Sequence, residues 1–383
     1  MPLPYTLRDL VFYFLKLGTW GFGGPVALVG YMHRDLVDNK QWISEEAYRE
    51  GMALAQLAPG PLAAQLSIYI GYVHYGLIGA TLAGLAFVIP SFLMVLGLGY
   101  AYTVYGGLPW MQAIFFGVSA SVIGIIGVSS YKLSSRSIGK DKLLWGIFIV
   151  LAISTWLTAS ESIWLMLAGG VVAWLLKAPP KNIFPALFTA PVVMAVTTAA
   201  FVTPTGKLWQ IAWFFTKAGA FVFGSGLAIV PFLYGGVVRE FGWLTEQQFV
   251  DAVAVAMITP GPVVITVGFI GYLTAGFAGA CVASLATFLP CYLFTVIPAP
   301  YFKKHGKNPA IKAFVDGVTA AAIGAIAGAV CVLAKRTLTD VPSIVFAAIT
   351  VLLLIRFKKL PEPLIILAAA MTGVAFRMIV AEF

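Results

Sequence analysis

Charge is scarce in this chain. Asp, Glu, Lys and Arg make up 10% of its 383 residues, where soluble domains carry about a quarter. So little charge excludes a large water-exposed surface, and with it a separate soluble domain. Cysteine is equally sparse. Cys281, Cys291 and Cys331 all sit in apolar runs with no CxxC spacing, which excludes a disulfide framework and a structural zinc site. The three histidines, His33, His74 and His305, are scattered. With no His/Cys/carboxylate constellation in an apolar segment, the chain reads as no enzyme and calls for no metal or cofactor.

What is present is hydrophobic: 60% of the residues, with a mean hydropathy of +0.94. Apolar windows of about twenty residues recur from end to end, as in an all-α polytopic membrane protein. The net charge of +9 does not point to nucleic acid, because the Lys and Arg lie in short loops between apolar runs, the pattern of membrane orientation signals. Spans are expected near 10–32, 45–75 (broken), 77–103, 110–131, 143–158, 162–177 and 183–202. A second set is expected near 210–236, 246–275 (broken), 277–299, 311–334, 341–356 and 362–380. Tryptophans 42, 110, 145, 164, 209 and 243 fall near span ends, as an interfacial belt does.

The second set repeats the first. A shift of 201 matches fifteen of the fifty positions from Phe12 to Pro61 with Trp213 to Pro262, and a shift of 200 then pairs Gly76 with Gly276 and Pro90 with Pro290. Two homologous halves follow, 1–204 and 205–383. Seven elements in the first half is an odd number, so the second half is expected upside down, an inverted-topology repeat with interrupted helices. Loop charge agrees when the N-terminus is cytoplasmic. Lys132, Arg136, Lys140 and Lys142, then Lys303, Lys304, Lys307 and Lys312, fall inside, while Lys335 and Arg336 are exceptions.

The interruptions carry the chemistry. Pro59-Gly60-Pro61 and Pro260-Gly261-Pro262 each break an apolar segment about thirteen residues after a helix start at Ser44 or Thr245. Proline opens a helix well, so a half-helix restarts there with unpaired amides at Leu62–Ala64 and Val263–Ile265. Gly23-Gly24-Pro25 and Gly224-Ser225-Gly226 break the first element of each half in the same way. Unpaired amides are costly in hydrocarbon, and half-helix N-termini suit an anion. Broken helices at matching positions of inverted repeats point to a carrier's binding site. The glycines elsewhere, such as Gly76, Gly79, Gly117 and Gly124, read as helix-packing contacts.

Lys16 and Lys217 stand six residues before each Phe-Gly pair, as repeat-related intramembrane cations that could offset a dianion or snorkel to the interface. Gln65 in the new half-helix is a candidate donor to an oxyanion, and Thr259 stands beside the second break. His33, Arg34, Asp35, Arg49 and Asp316 are candidates for gating or coupling. A channel would share these lining features, and a homodimer is left open.

The stretches KLGTWGFGGPVALVGYMHRDLV, APGP, IGYVHYG and GLAFVIPSF resemble the chromate ion transporter family. The resemblance implies export of chromate across the inner membrane of a bacterium, driven by the proton motive force; resistance, with exchange for protons as the form of coupling, is the expectation built on it. It carries over Lys16, Gly23, Gly24, Pro25, Pro59, Gly60 and Pro61. The chain departs from the family pattern at Leu28, and in the second half at Gly224-Ser225-Gly226. Sulfate or another tetrahedral oxyanion is the alternative substrate.

Overall fold

The computed structural model describes residues 5–22, 24–105, 109–158, 163–179, 206–221, 229–305, 308–357 and 362–381, and these form helices and connecting turns with no strand among them. The expected span 183–202 lies outside the described residues. In the first half, helices α1 (Leu7–Trp20) and α2 (Gly24–Met32) flank the first break, and α2 runs on into a π-turn at His33–Asn39. Helix α3 (Glu45–Leu57) precedes Pro59-Gly60-Pro61, and α4 (Leu62–Tyr105) follows it. Then come α5 (Pro109–Ser137), α6 (Lys142–Thr158) and α7 (Ile163–Lys177).

The second half repeats this order. It comprises α8 (Lys207–Phe221), α9 (Ile229–Leu233) with a π-turn at Tyr234–Glu240, α10 (Glu246–Ile258), a short 3-10 turn at Val263–Ile265 and α11 (Thr266–Val296). It ends with α12 (Ala299–His305), α13 (Pro309–Thr337), α14 (Val341–Arg356) and α15 (Glu362–Ala381). Repetition extends to backbone detail. Gln41 (φ 52°) and its counterpart Gly242 (φ 56°) both take the left-handed conformation after the π-turn. The expected helix starts are present, with Ser44 accepting from the Ala47 amide and Thr245 forming a capping box with Gln248.

The broken elements do not span; they fold back. The Tyr69 hydroxyl reaches Glu50 Oε2 at 3.3 Å, and a Cβ on Gly51 would meet the Tyr69 ring. Those contacts across Pro59-Gly60-Pro61 require α3 and the start of α4 to run antiparallel. Thr266 Oγ1 donating to the Ala252 carbonyl at 3.3 Å shows the same for the second half. The first elements are hairpins as well, since the Tyr13 hydroxyl meets Asp35 at 3.5 Å and the Phe214 and Phe232 rings stack at 5.2 Å. Arms of about 20 Å fall short of the roughly 30 Å hydrocarbon core. Each half therefore opens with two re-entrant hairpins where single broken spans were expected.

Gly76 (φ 57°) and Gly276 (φ 62°) end the short arms, with open space around the position a Cβ would take. They are turns, a correction to the packing role read from sequence. The packing glycines are real elsewhere. Gly71 and Gly79 approach each other's backbones, as do Gly117 and Ala369, and Gly324 and Phe148.

The halves are inverted relative to each other. Thr81, early in the long arm of α4, bonds Tyr292 near the end of α11 at 2.8 Å. At the other end, Tyr102 of α4 bonds Asp251 of α10 at 2.8 Å. The counterpart helices α4 and α11 therefore run antiparallel. One end of the molecule gathers Lys177, Lys312 and the Lys177–Asp141 ion pair. Lys177 and the Leu143 and Leu144 amides hold the Asp141 carboxyl below its usual range.

Packing sorts the helices into two bodies. The hairpins and long arms, α1–α4 with α8–α11, form one, and α5–α7 with α13–α15 form the other. Among the described residues, four helices are long and apolar enough to cross a membrane. Ile78, Leu82, Leu85, Ile89 and Leu93 expose a continuous apolar stripe on α4, which suits lipid rather than water.

Candidate functional site

Among the described residues the two halves meet at the Pro-Gly-Pro tips. The Gly261 amide donates to the Gly21 carbonyl at 3.0 Å, joining the second Pro-Gly-Pro tip to the first break. The Ser91 hydroxyl, just after Pro90 in α4, donates to the Pro260 carbonyl at 2.7 Å and lies 3.4 Å from the Gly18 carbonyl. Its repeat counterpart Cys291 packs on Gly60, where an added Cβ would lie 3.1 Å from its sulfur. Each long arm thus supports the other half's tip.

Hydrogen bonding at the tips is lopsided. The carbonyls that would face an anion are occupied, Pro59 by Gln65 Nε2 at 2.8 Å and Pro260 by Ser91. The first paired amide of α4 is Gln65, bonded to the Pro61 carbonyl at 3.0 Å. Leu62, Ala63 and Ala64 precede it with no acceptor among the described residues. In the second half the 3-10 turn uses the Ile265 amide on the Pro262 carbonyl at 2.9 Å, leaving Val263 and Val264. Here the structure corrects the expectation that Ile265 is open. Positive φ at Gly60 (143°) and Gly261 (93°) makes both turns possible. Residues from Gly60 to Gly71 and from Thr259 to Gly271 are all buried. What the tips offer is therefore a desolvated set of N–H groups at helix starts, which is anion chemistry.

The chain matches the family model described as chromate transporter twice, over residues 8–174 and 209–374. It is 66% identical to the chromate transport protein of Cupriavidus metallidurans, over 96% of this chain and 93% of that one. Identity to the probable chromate transport protein of Synechococcus elongatus is 62%, covering 97% and 96%. For the chromate transport protein of Pseudomonas aeruginosa it is 32%, covering 97% and 93%. The chain belongs to the chromate transporter family. No solved structure matches it.

Within this chromate transporter fold the expected site residues divide. Pro59, Gly60, Pro61 and Gln65 form one tip against Cys291, Pro260, Gly261 and Pro262 form the other against Ser91 and Gly21, and α2 restarts at Gly24 with Pro25 in its first turn. Gly23, Gly224, Ser225 and Gly226 lie outside the described residues. Thr259 is spent on its own helix, donating to the Val255 carbonyl at 2.6 Å. Gln65 is fully buried and its Oε1 has no partner among the described residues; the bond to Pro59 fixes which way its amide points.

The two lysines are corrected more strongly. Lys16 is exposed, on the same face as the exposed Phe12 and Trp20, and Lys217 is half-buried over the Trp213 ring at 5.5 Å. Neither is a buried ion. Of the gating candidates, His33 and Arg49 are joined through Glu45, with His33–Glu45 at 2.8 Å and Arg49–Glu45 at 2.6 Å. Bonds from His33 and Arg49 hold the Glu45 carboxyl below its usual range. Arg34 pairs with Asp35 at 2.9 Å. This cluster ties the open ends of the first two hairpins together, away from the tips. Asp316 lies on the other body, half-buried and near Lys177 and Lys312.

Sequence reading passed over Asp251. It is 2% exposed and accepts from Tyr102 at 2.8 Å, Gln247 at 2.8 Å and Ser119 at 3.1 Å. Its repeat counterpart is Glu50, and that pairing of acids was the available signal.

Proposed function

We propose that this protein is a secondary carrier that exports chromate across the cytoplasmic membrane of a bacterium and so confers resistance. The anion binds between the meeting tips, on the amides of Leu62–Ala64 and Val263–Val264. The observation that carries this reading is the capping of the Pro59 and Pro260 carbonyls beside the unpaired amides at the start of each half-helix. Lys16 and Lys217, outside that gap, supply positive potential along the approach. The lysine-rich end faces the cytoplasm, following the bias of Lys and Arg toward that side.

Proton motive force drives the export. Moving one charge through 100 mV is worth about 2.3 kcal/mol, so a dianion leaving a cell that is negative inside gains about twice that. Exchange for protons adds the chemical component. Tested as accumulation of radioactive chromate, cells making this protein are expected to hold less than cells without it, and an uncoupler removes the difference. Higher accumulation, suppressed by sulfate, would instead mark an importer that admits chromate as a sulfate mimic.

A further inference from the structure

The sequence repeat is near-symmetric, but burial of the two Pro-Gly-Pro hairpins is not. In α10 every residue from Phe249 to Met257 is buried, while its counterpart α3 keeps one face open. That open face is polar. Glu46, Arg49 and Gln56 are exposed at helical spacing, with Ala53 half-buried between them, and Gln56 stands three residues before Pro59. A lipid-facing stripe would be apolar, as on α4; Arg and Gln at these positions call for water. The counterparts Val250 and Met257 are buried.

The cause of the asymmetry lies in the seam between the two bodies. Helix α10 packs on α5 and α15, and Tyr102, Ser119 and Gln247 converge on Asp251 there. The Tyr102 ring also meets Phe115 of α5 edge-on at 5.3 Å. Helix α3 packs instead on α4, α12 and the π-turn of its own half, and Glu50 accepts from Tyr69 of its own hairpin. The positions matching Tyr102 and Ser119 are Phe302 and Thr319, and Thr319 is half-buried. The seam is closed at Asp251 and open along α3.

From this we infer that the face of α3 bearing Glu46, Arg49 and Gln56 lines an aqueous vestibule running from the lysine-rich end to the first Pro-Gly-Pro tip, and that the Asp251 clamp is the closed gate on the opposite side. Arg49 gives the vestibule a cation on the way to the tip, although Glu45 shares it. Transport then alternates by closing α3 onto the second body while α10 parts from it, a swap of conformations between matching hairpins. The inference rests on the carrier reading, but its test needs no substrate.

Single cysteines are placed in a background where Cys281, Cys291 and Cys331 are serine, and labelled with a membrane-impermeant thiol reagent from each face of oriented membrane vesicles. Gln56→Cys and Arg49→Cys are expected to react from the lysine-rich face only, and Val250→Cys and Met257→Cys from neither face. Adding Asp251→Ala is expected to make Met257→Cys reactive from the opposite face and to slow Gln56→Cys, with an unchanged elution profile of the Asp251→Ala protein in detergent reporting that the fold is retained. A Gln56→Cys that stays unreactive, or a Met257→Cys that reacts as fast with the clamp intact, overturns the vestibule. A Met257→Cys that stays closed after Asp251→Ala, in protein that elutes as the parent does, overturns the gate. Failure of chromate transport in cells would leave these labelling patterns untouched, so the two readings fail separately.

Discussion

Gly261→Ala is expected to abolish chromate transport while the protein still assembles in the membrane. Gly261 holds φ at 93°, a region where an alanine is strained by about 1–3 kcal/mol. The added methyl would also lie 2.0 Å from the Ser91 hydroxyl. Ser91 can rotate away, but it then releases the Pro260 carbonyl and turns an uncapped oxygen toward the anion gap. Both effects fall on the tip and neither on helix packing. Chromate flux should drop at least about tenfold, the equivalent of roughly 1.4 kcal/mol, while membrane yield and elution in detergent stay near normal. Flux within twofold of the parent would mean that the tip does not hold the anion.

Gly18→Val should have a different outcome, loss of folded protein. A Cβ at Gly18 would sit 2.4 Å from the Phe87 carbonyl oxygen, and one at the counterpart Gly219 would sit 2.2 Å from that of Thr287. Those oxygens belong to the long arms of α4 and α11, so relief requires prising α1 or α8 off its partner. Overpacking of a fixed backbone contact costs about 1–3 kcal/mol or more. In apolar surroundings association depends on such close contact, so a helix held away from its partner loses most of what docks it. Gly30→Ala is the control, because nothing lies within 4 Å of its added methyl. Size-exclusion profiles should show Gly18→Val aggregated and Gly30→Ala unchanged.

How legible was this molecule? The membrane class, the duplication and the break points follow from local chemistry, because Gly and Pro act where they stand. Ser44 and Thr245 announce their helices for the same reason. Hairpin closure is not local. A through-going broken helix and a folded-back pair have the same composition, and only contacts such as Tyr69–Glu50 and Tyr13–Asp35 tell them apart. Pro59-Gly60-Pro61 therefore marked a break between two helices, while the hairpin it makes was taken for a span. Lys16 misled in the other direction. Its position along the chain suggested burial, but facing depends on neighbours, and Phe12 and Trp20 share its exposed face. The support from Ser91 and Cys291 was invisible, since each contacts the opposite half about 170 to 230 residues away in sequence.

The most direct test is chromate exit from vesicles containing only this protein and lipid. Vesicles are loaded with radioactive chromate, and a potential negative inside is imposed together with an acidic exterior, as in a cell. Saturable exit that collapses when both gradients are dissipated is the expected result, with Gly261→Ala vesicles retaining their chromate. Chromate held as long as in protein-free vesicles would contradict export by this chain.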